Sequence, residues 1–222
     1  MVLVRKLKAR WAACGATVPQ VLTYVGALLP LAWLVWEAWQ GQLIVDPVKE
    51  ITTSTGKTAL ILLVLSLACT PVNTIFGFKQ ALRVRRPLGL TAFLYVGLHF
   101  LTFLGLDYGF DLDLIRRDIL DQRYILVGLA TGLLLLPLAI TSTKGWQKRL
   151  GKSWKRLHRL VYLASILDIV HFVWLTKDLR EPLRYGGVVA LLLIVRIPAI
   201  KRAISKARTQ LKARWKTRRG KD

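Results

Sequence analysis

The stretch LHRLVYLASILDIVHFVWL, residues 157–175, decides the fold. Apart from Arg159 and Asp168 it carries no formal charge, and its length approaches the roughly 20 residues needed to cross a bilayer core. It also holds His158 and His171, two of the three histidines in the chain. The third, His99, sits in GLTAFLYVGLHFLTFLGL, residues 89–106, another stretch of spanning length. Histidine is expensive in hydrocarbon unless it faces a bundle interior with a partner, so each is a candidate functional residue. Neutral imidazole is a common ligand of haem iron, and helical bundles build such sites from facing helices.

Four further apolar stretches, near 21–39, 57–74, 124–142 and 185–200, give six in all. The expected fold is all-α, a polytopic bundle of six transmembrane helices. Its basic cytoplasmic N-terminal segment covers 1–20, its transmembrane haem domain 21–200, and its basic cytoplasmic tail 201–222. The sixth stretch is short and contains Arg196, which is expected to snorkel toward the headgroups.

A net charge of +22 would suggest nucleic acid in a soluble chain, but the placement of the charges argues for a membrane. Of 34 Lys and Arg, 24 fall in the N-terminal segment, the second and fourth loops and the tail, against 8 in the other connections. Asp107, Asp111, Asp113, Asp118 and Asp121 crowd one loop of the opposite side. The positive-inside rule puts both termini in the cytoplasm, with the tail against anionic headgroups. Cys14 and Cys69 are not expected to form a disulfide, Cys14 being cytoplasmic in this topology and Cys69 lying in the second span. No cleavable signal peptide is evident, since residues 21–39 lack a small-residue cleavage site.

Pro47 after Asp46 is expected to start a short interfacial helix, Thr70–Pro71 to end the second span, and Arg86–Pro87 to precede the third. Pro30 and Pro137 are expected to kink their spans. No internal repeat stands out, and no GxGxxG or second globular segment is left for a soluble flavin or nicotinamide domain.

Depth sorts the histidines. His158 and His171 are separated by a helical rise of about 20 Å, placing them near opposite faces. His99, about ten residues into its span, pairs in depth with His171, which predicts a bis-histidine haem between the third and fifth spans. The positions that would complete a second pair with His158 hold Arg85 and Arg86. A haem at His158 then takes another axial ligand or none, or His158 helps bind a quinone or flavin, with Arg85 and Arg86 attracting haem propionates or a phosphate. An interfacial histidine at this boundary also needs no cofactor. Simple positive-inside anchoring accounts for these arginines equally well. Asp168, three residues before His171, either holds an imidazole N–H or bonds a neighbouring helix.

The run TSTKGWQKRLGKSWKRLHRLVYLASILDIVHFVWL (141–175) resembles the MsrQ (YedZ) family, the haem-binding membrane subunits of protein-methionine-sulfoxide reductase systems. Arg85-Arg86-Pro87-Leu88-Gly89-Leu90, Tyr95, His99, Arg123-Tyr124-Ile125, Gly128, Asp46-Pro47, Thr55-Gly56, Ala59-Leu60 and Thr70-Pro71 carry the resemblance further, over about residues 20–180. The basic tail is longer than the family leads one to expect. The resemblance implies a ferric-reductase-like domain with one or two haem b groups, ligated by His99, His158 and His171. It implies electrons taken from the quinone pool or a cytoplasmic flavin reductase, and delivered to a periplasmic molybdopterin-containing methionine sulfoxide reductase. It implies the bacterial inner membrane, and flavin mononucleotide as a further cofactor, although no phosphate-binding motif demands it. The chain would then be an electron-transfer subunit, with the catalytic centre on its partner. Two other readings remain at this stage: a ferric or cupric reductase or other cytochrome b, and a six-span transporter or scaffold with structural histidines.

Overall fold

The computed structural model describes residues 18–42 and 46–219, and every regular element among them is helical. The basic segment with Arg5, Lys6, Lys8, Arg10 and Cys14 lies outside the described residues, apart from its last three positions. The helices are α1 (Val18–Trp39), α2 (Pro47–Phe76), α3 (Gln80–Thr102, continued by a π-turn over Phe103–Asp107), α4 (Leu112–Asp121), α5 (Arg123–Ile140), α6 (Lys144–Leu150), α7 (Lys152–Leu157), α8 (Leu160–Leu175), α9 (Arg180–Ile194) and α10 (Pro198–Arg219). Five spans are long and apolar enough to cross a membrane: α1, α2, α3 with its π-turn, α5, and the stretch Lys152–Leu175. The protein is a multi-pass membrane protein.

The expected sixth span folds as α9, of 15 residues. At 1.5 Å per residue that is about 22 Å, short of a full hydrocarbon core. Glu181 and Arg184 occupy its first turns, and the chain turns at Val195–Ile197 before Pro198 opens α10.

Two proline boundaries fall elsewhere than the sequence suggests. The helix α2 runs through Pro71 to Phe76, and α3 begins at Gln80 and runs through Pro87. A proline inside a helix strips the carbonyl four residues earlier of its partner. Side chains from elsewhere in the bundle fill both gaps. The Arg196 Nη2 donates to the Leu67 carbonyl, and Gln20 Nε2 donates to the Arg83 carbonyl at 3.2 Å. Nor is the helix after Asp46 a separate interfacial piece. The Asp46 carboxylate accepts from the Lys49 N–H, Pro47 fills the first turn, and α2 continues unbroken for 30 residues. It ends at Gly77, whose φ of +75° suits glycine. There Arg208 of α10 donates to the carbonyls of Asn73, which also accepts from the Gly77 N–H, and Thr74 at 2.9 and 3.0 Å, so the tail helix docks on the bundle.

Pro30 is accommodated by insertion. The Leu31 N–H donates to the Tyr95 hydroxyl at 3.0 Å, and that hydroxyl donates to the Ala27 carbonyl at 2.9 Å. A phenol thus bridges one step of the α1 ladder, a recognised cause of helix bending. Tyr95 is 1% exposed, in a core with Ala27, Leu62, Leu63, Ala92, Leu135 and Ala164. Large apolar side chains such as Leu22, Leu29, Leu133 and Ile140 face outward instead, as a lipid-facing surface requires. Packing is most extensive between α2 and α3 and between α5 and α8, and these two pairs carry the site.

Candidate functional site

At one end of the bundle, α3 presents His99 to α2. Its Nδ1 lies 2.9 Å from the Thr52 carbonyl oxygen. A carbonyl only accepts, so Nδ1 carries the proton and Nε2 keeps the lone pair. The ring lies over Gly56, where an added Cβ would stand 3.1 Å from Nδ1 and 3.2 Å from Cε1.

The same arrangement recurs between α5 and α8. The Nδ1 of His171 donates to the Tyr124 carbonyl at 2.7 Å, and the ring lies over Gly128, where a Cβ would stand 2.8 Å from Cε1. In each case the glycine follows the accepting residue by one helical turn, and carbonyl and histidine are 47 residues apart. A local structural repeat is therefore present where the sequence shows none, because only the carbonyl, the glycine and the histidine recur.

The two half-sites face each other. The ring centroids of His99 and His171 are 6.3 Å apart, with planes at 86°. That separation suits two imidazoles sharing one metal from opposite sides, with metal–nitrogen bonds of about 2 Å. Among the described residues no cluster of three or more His, Cys, Asp or Glu could hold a bare ion. A two-imidazole pair fits a metal whose remaining ligands arrive with it, as in haem. The carbonyl anchors supply the orienting contacts that ligating histidines normally receive.

His158 is not brought to this pair. Its Nε2 lies 3.2 Å from the Thr141 hydroxyl, which donates its own proton to the Pro137 carbonyl at 2.6 Å. The hydroxyl must then accept from Nε2–H, leaving Nδ1 as the lone-pair nitrogen. The ring stacks on Trp154 at 4.0 Å, and Trp154 donates to the Thr141 carbonyl at 2.9 Å. Arg85 is a charged neighbour of His158 and lines a cavity, whereas Arg86 is exposed. Along α3, Arg85 stands about 20 Å from His99.

Asp168 forms neither of the two contacts expected of it. The structure gives it no hydrogen bond or ion pair among the described residues, and the support for His171 comes from the Tyr124 backbone. Thr52 and Tyr124 escape a sequence reading because any residue can offer its carbonyl. Gly56 and Gly128 could have been found from their shared spacing to His99 and His171.

Of the five aspartates in the third connection, two have work within the fold. Asp111 caps α4 by accepting from the N–H groups of Asp113 and Leu114, and Asp118 accepts from Tyr108 and Gln122. The amphipathic helix α4 itself lies in a segment the sequence reads only as a charged loop.

Comparison with known proteins bears on the whole bundle. The model of the ferric reductase like transmembrane component family matches residues 55–169. The chain is 46% identical over 186 residues to the protein-methionine-sulfoxide reductase heme-binding subunit MsrQ of Rhodospirillum rubrum, covering 82% of this chain and 89% of that one. It is 45% identical over 181 residues to the MsrQ of Xanthomonas euvesicatoria, covering 78% and 83%, and 40% identical over 188 residues to that of Caulobacter vibrioides, covering 84% and 90%. No solved structure matches. With identity at this level over most of both chains, the chain belongs to the MsrQ family, among the ferric reductase like transmembrane components.

Proposed function

We propose that this protein is a haem b electron-transfer subunit of the bacterial inner membrane. In this reading it passes electrons from quinol or a cytoplasmic flavin reductase to a periplasmic, molybdopterin-containing methionine sulfoxide reductase that repairs oxidised proteins. The observation that carries the reading is the His99–His171 pair, 6.3 Å apart with both Nδ1 atoms held by backbone carbonyls. The relatives' name, heme-binding subunit of protein-methionine-sulfoxide reductase, supports it independently.

A haem held here would supply one-electron transfer, with a potential set by axial ligand and burial. The protein's own groups do the rest. Thr52 and Tyr124 fix the tautomer of each imidazole and so keep Nε2 available. Gly56 and Gly128 let the rings lie flat on their helices, and the apolar walls exclude water. In the orientation drawn from the basic loops, both termini are cytoplasmic and the histidine pair lies near the periplasmic face. Asp107, Asp113 and Asp121, free of the capping and bonding duties of Asp111 and Asp118, would form the docking edge for the partner, where complementary charge sets encounter rate and specificity. His158, beside Trp154 and Arg85, would serve the cytoplasmic end, as ligand of a second haem or as part of a flavin or quinone site.

A reduced-minus-oxidised spectrum with a pyridine haemochrome assay on detergent-purified protein tests this. A low-spin b-type signal lost in His99→Ala and in His171→Ala is the expected result. Absence of haem from well-folded wild type would overturn it and leave a transporter or scaffold.

A further inference from the structure

Far from the histidine pair, at the Arg85 end, the bundle forms a partly open cavity of about 130 Å³. Its polar lining is Thr70, Thr74, Arg85, Tyr162, Arg196 and Lys201. Three cations converge on one small space, and no carboxylate lines it. None is near in sequence either: the segments 70–86, 141–159 and 195–219 that meet at this end contain no Asp or Glu. The one ion pair among the described residues, Lys57 with Glu181, lies at the opposite end.

Arg196 is the centre of the arrangement. Its Nη2 is fixed on the Leu67 carbonyl that Pro71 leaves open, and its Nη1 donates to the Tyr162 hydroxyl at 2.9 Å. The guanidinium also lies over the Tyr162 ring, 5.1 Å from its centroid. Its Nε–H, however, is buried without a partner, and so is the hydroxyl of Thr70. A buried polar group left unpaired is costly, more so when charged, so two at one cavity point to a missing acceptor. The Tyr162 hydroxyl, having accepted from Arg196, keeps its own proton to give.

We infer that this cavity binds a phosphate group, held by Arg85, Arg196 and Lys201 with Thr70 and Tyr162 as neutral donors. A carboxylate offers two oxygens in one plane and a single charge. A phosphate offers acceptor oxygens in several directions and up to two charges, matching donors that approach from α2, α3, α8 and α10. The chemistry is shared by a phospholipid headgroup, the phosphate of a nucleotide such as flavin mononucleotide, and free phosphate. Arg196, which the sequence reading sends out to the headgroups as a snorkelling residue, is instead turned inward to build the site.

The test is isothermal titration of the full chain, delipidated in a neutral detergent, with three probes. These are short-chain phosphatidylglycerol against the matched diacylglycerol, flavin mononucleotide against riboflavin, and inorganic phosphate alone. Saturable binding of one equivalent of any phosphate-bearing probe, absent for its phosphate-free counterpart, supports the site, and the probe that binds tightest names the source. Arg85→Gln and Lys201→Gln should each weaken binding about tenfold or more, and Thr70→Val less, whereas Arg116→Gln on α4 should leave it unchanged. Lys201 is exposed and Thr70 keeps its volume as valine, so both variants remain informative if Arg196→Gln fails to fold. The inference is overturned if no phosphate-bearing probe binds saturably, or if Arg116→Gln weakens binding as much as Arg85→Gln and Lys201→Gln do.

Discussion

A Cβ added to Gly128 would stand 2.8 Å from Cε1 and 2.9 Å from Nδ1 of His171, closer than real Cβ contacts come. The imidazole is pinned by its bond to the Tyr124 carbonyl, one turn before the glycine on the same helix. It can yield only by giving up that bond, and with it the tautomer that keeps Nε2 free.

Gly128→Ala is therefore expected to displace the His171 ring and lower haem content per chain several-fold, at an overpacking cost of about 1–3 kcal/mol. Gly56→Ala meets His99 at 3.1 Å, a contact that a shift of a few tenths of an ångström relieves. It should retain haem with a rotated axial ligand. Pyridine haemochrome quantifies the first effect, and low-spin electron paramagnetic resonance g-values report the second. Equal haem content and identical g-values in all three proteins would show that the glycines do not position the ligands.

His158→Ala should leave the b-type signal of the His99–His171 pair in place, because the two sites are separated by about 20 Å and share no hydrogen bond. The expected change is confined to a second redox component, or to flavin or quinone reactivity, seen as one missing wave in a potentiometric titration. Loss of the whole spectrum in His158→Ala, with the fold intact by circular dichroism, would contradict the pairing.

Tyr95→Phe removes the hydroxyl that relays between the Leu31 N–H and the Ala27 carbonyl at the Pro30 kink. Two buried polar groups of α1 then lose their shared partner, and stability should fall by about 1–3 kcal/mol. The haem spectrum should be unchanged, since Tyr95 bonds α1 and not the histidines. A lowered midpoint of thermal unfolding with a native spectrum is the expected result. An unchanged midpoint would mean that α1 closes its own ladder once the phenol is gone.

These three cases also show what the sequence can and cannot reveal. The pairing of His99 with His171 was legible because depth in a membrane follows from counting residues along a helix of fixed rise. The two prolines misled, because Pro71 and Pro87 end a helix only when nothing satisfies the carbonyl they strip. Arg196 and Gln20, 129 and 63 residues away from Leu67 and Arg83, satisfy both. Such rescue is a tertiary fact with no local signature. The same holds for the tail, whose Arg208 caps α2 although its composition reads only as a charged, solvated or lipid-facing helix. The sixth stretch folds as a helix, Arg180–Ile194, that ends before Arg196 because the chain turns at Val195–Ile197, a turn that contains no proline or glycine to mark it.

Arg208→Ala should accordingly uncouple α10 from α2. The Asn73 and Thr74 carbonyls lose a charged donor, and the tail should become accessible to trypsin at its many basic residues well before the core is cut. Limited proteolysis followed by mass spectrometry checks this. Equal cleavage rates in wild type and Arg208→Ala would show that the docked tail does not depend on this contact.

Tyr108 gives a pH-dependent prediction on the opposite face. It lies beyond the π-turn and donates to the Asp118 carboxylate at 2.5 Å. Burial, followed by that hydrogen bond and the carboxylate charge, pushes its phenol well above the ordinary tyrosine value. A raised folded-state pKa means that the native form holds the proton more tightly than the unfolded chain does. The stabilisation is thus complete below the unfolded value of about 10 and is lost as the pH climbs toward the folded one. Tyr108→Phe should lower stability at pH 7 by about 1 kcal/mol, a modest figure because the pair is partly solvated. The gap between wild type and variant should narrow as the pH rises above 10, read as thermal unfolding midpoints at matched ionic strength. A gap that stays constant from pH 7 to 11 would show that titration of the phenol–carboxylate bond does not carry the effect, since the ring contact with Phe103, 4.5 Å between centroids, is kept in both proteins.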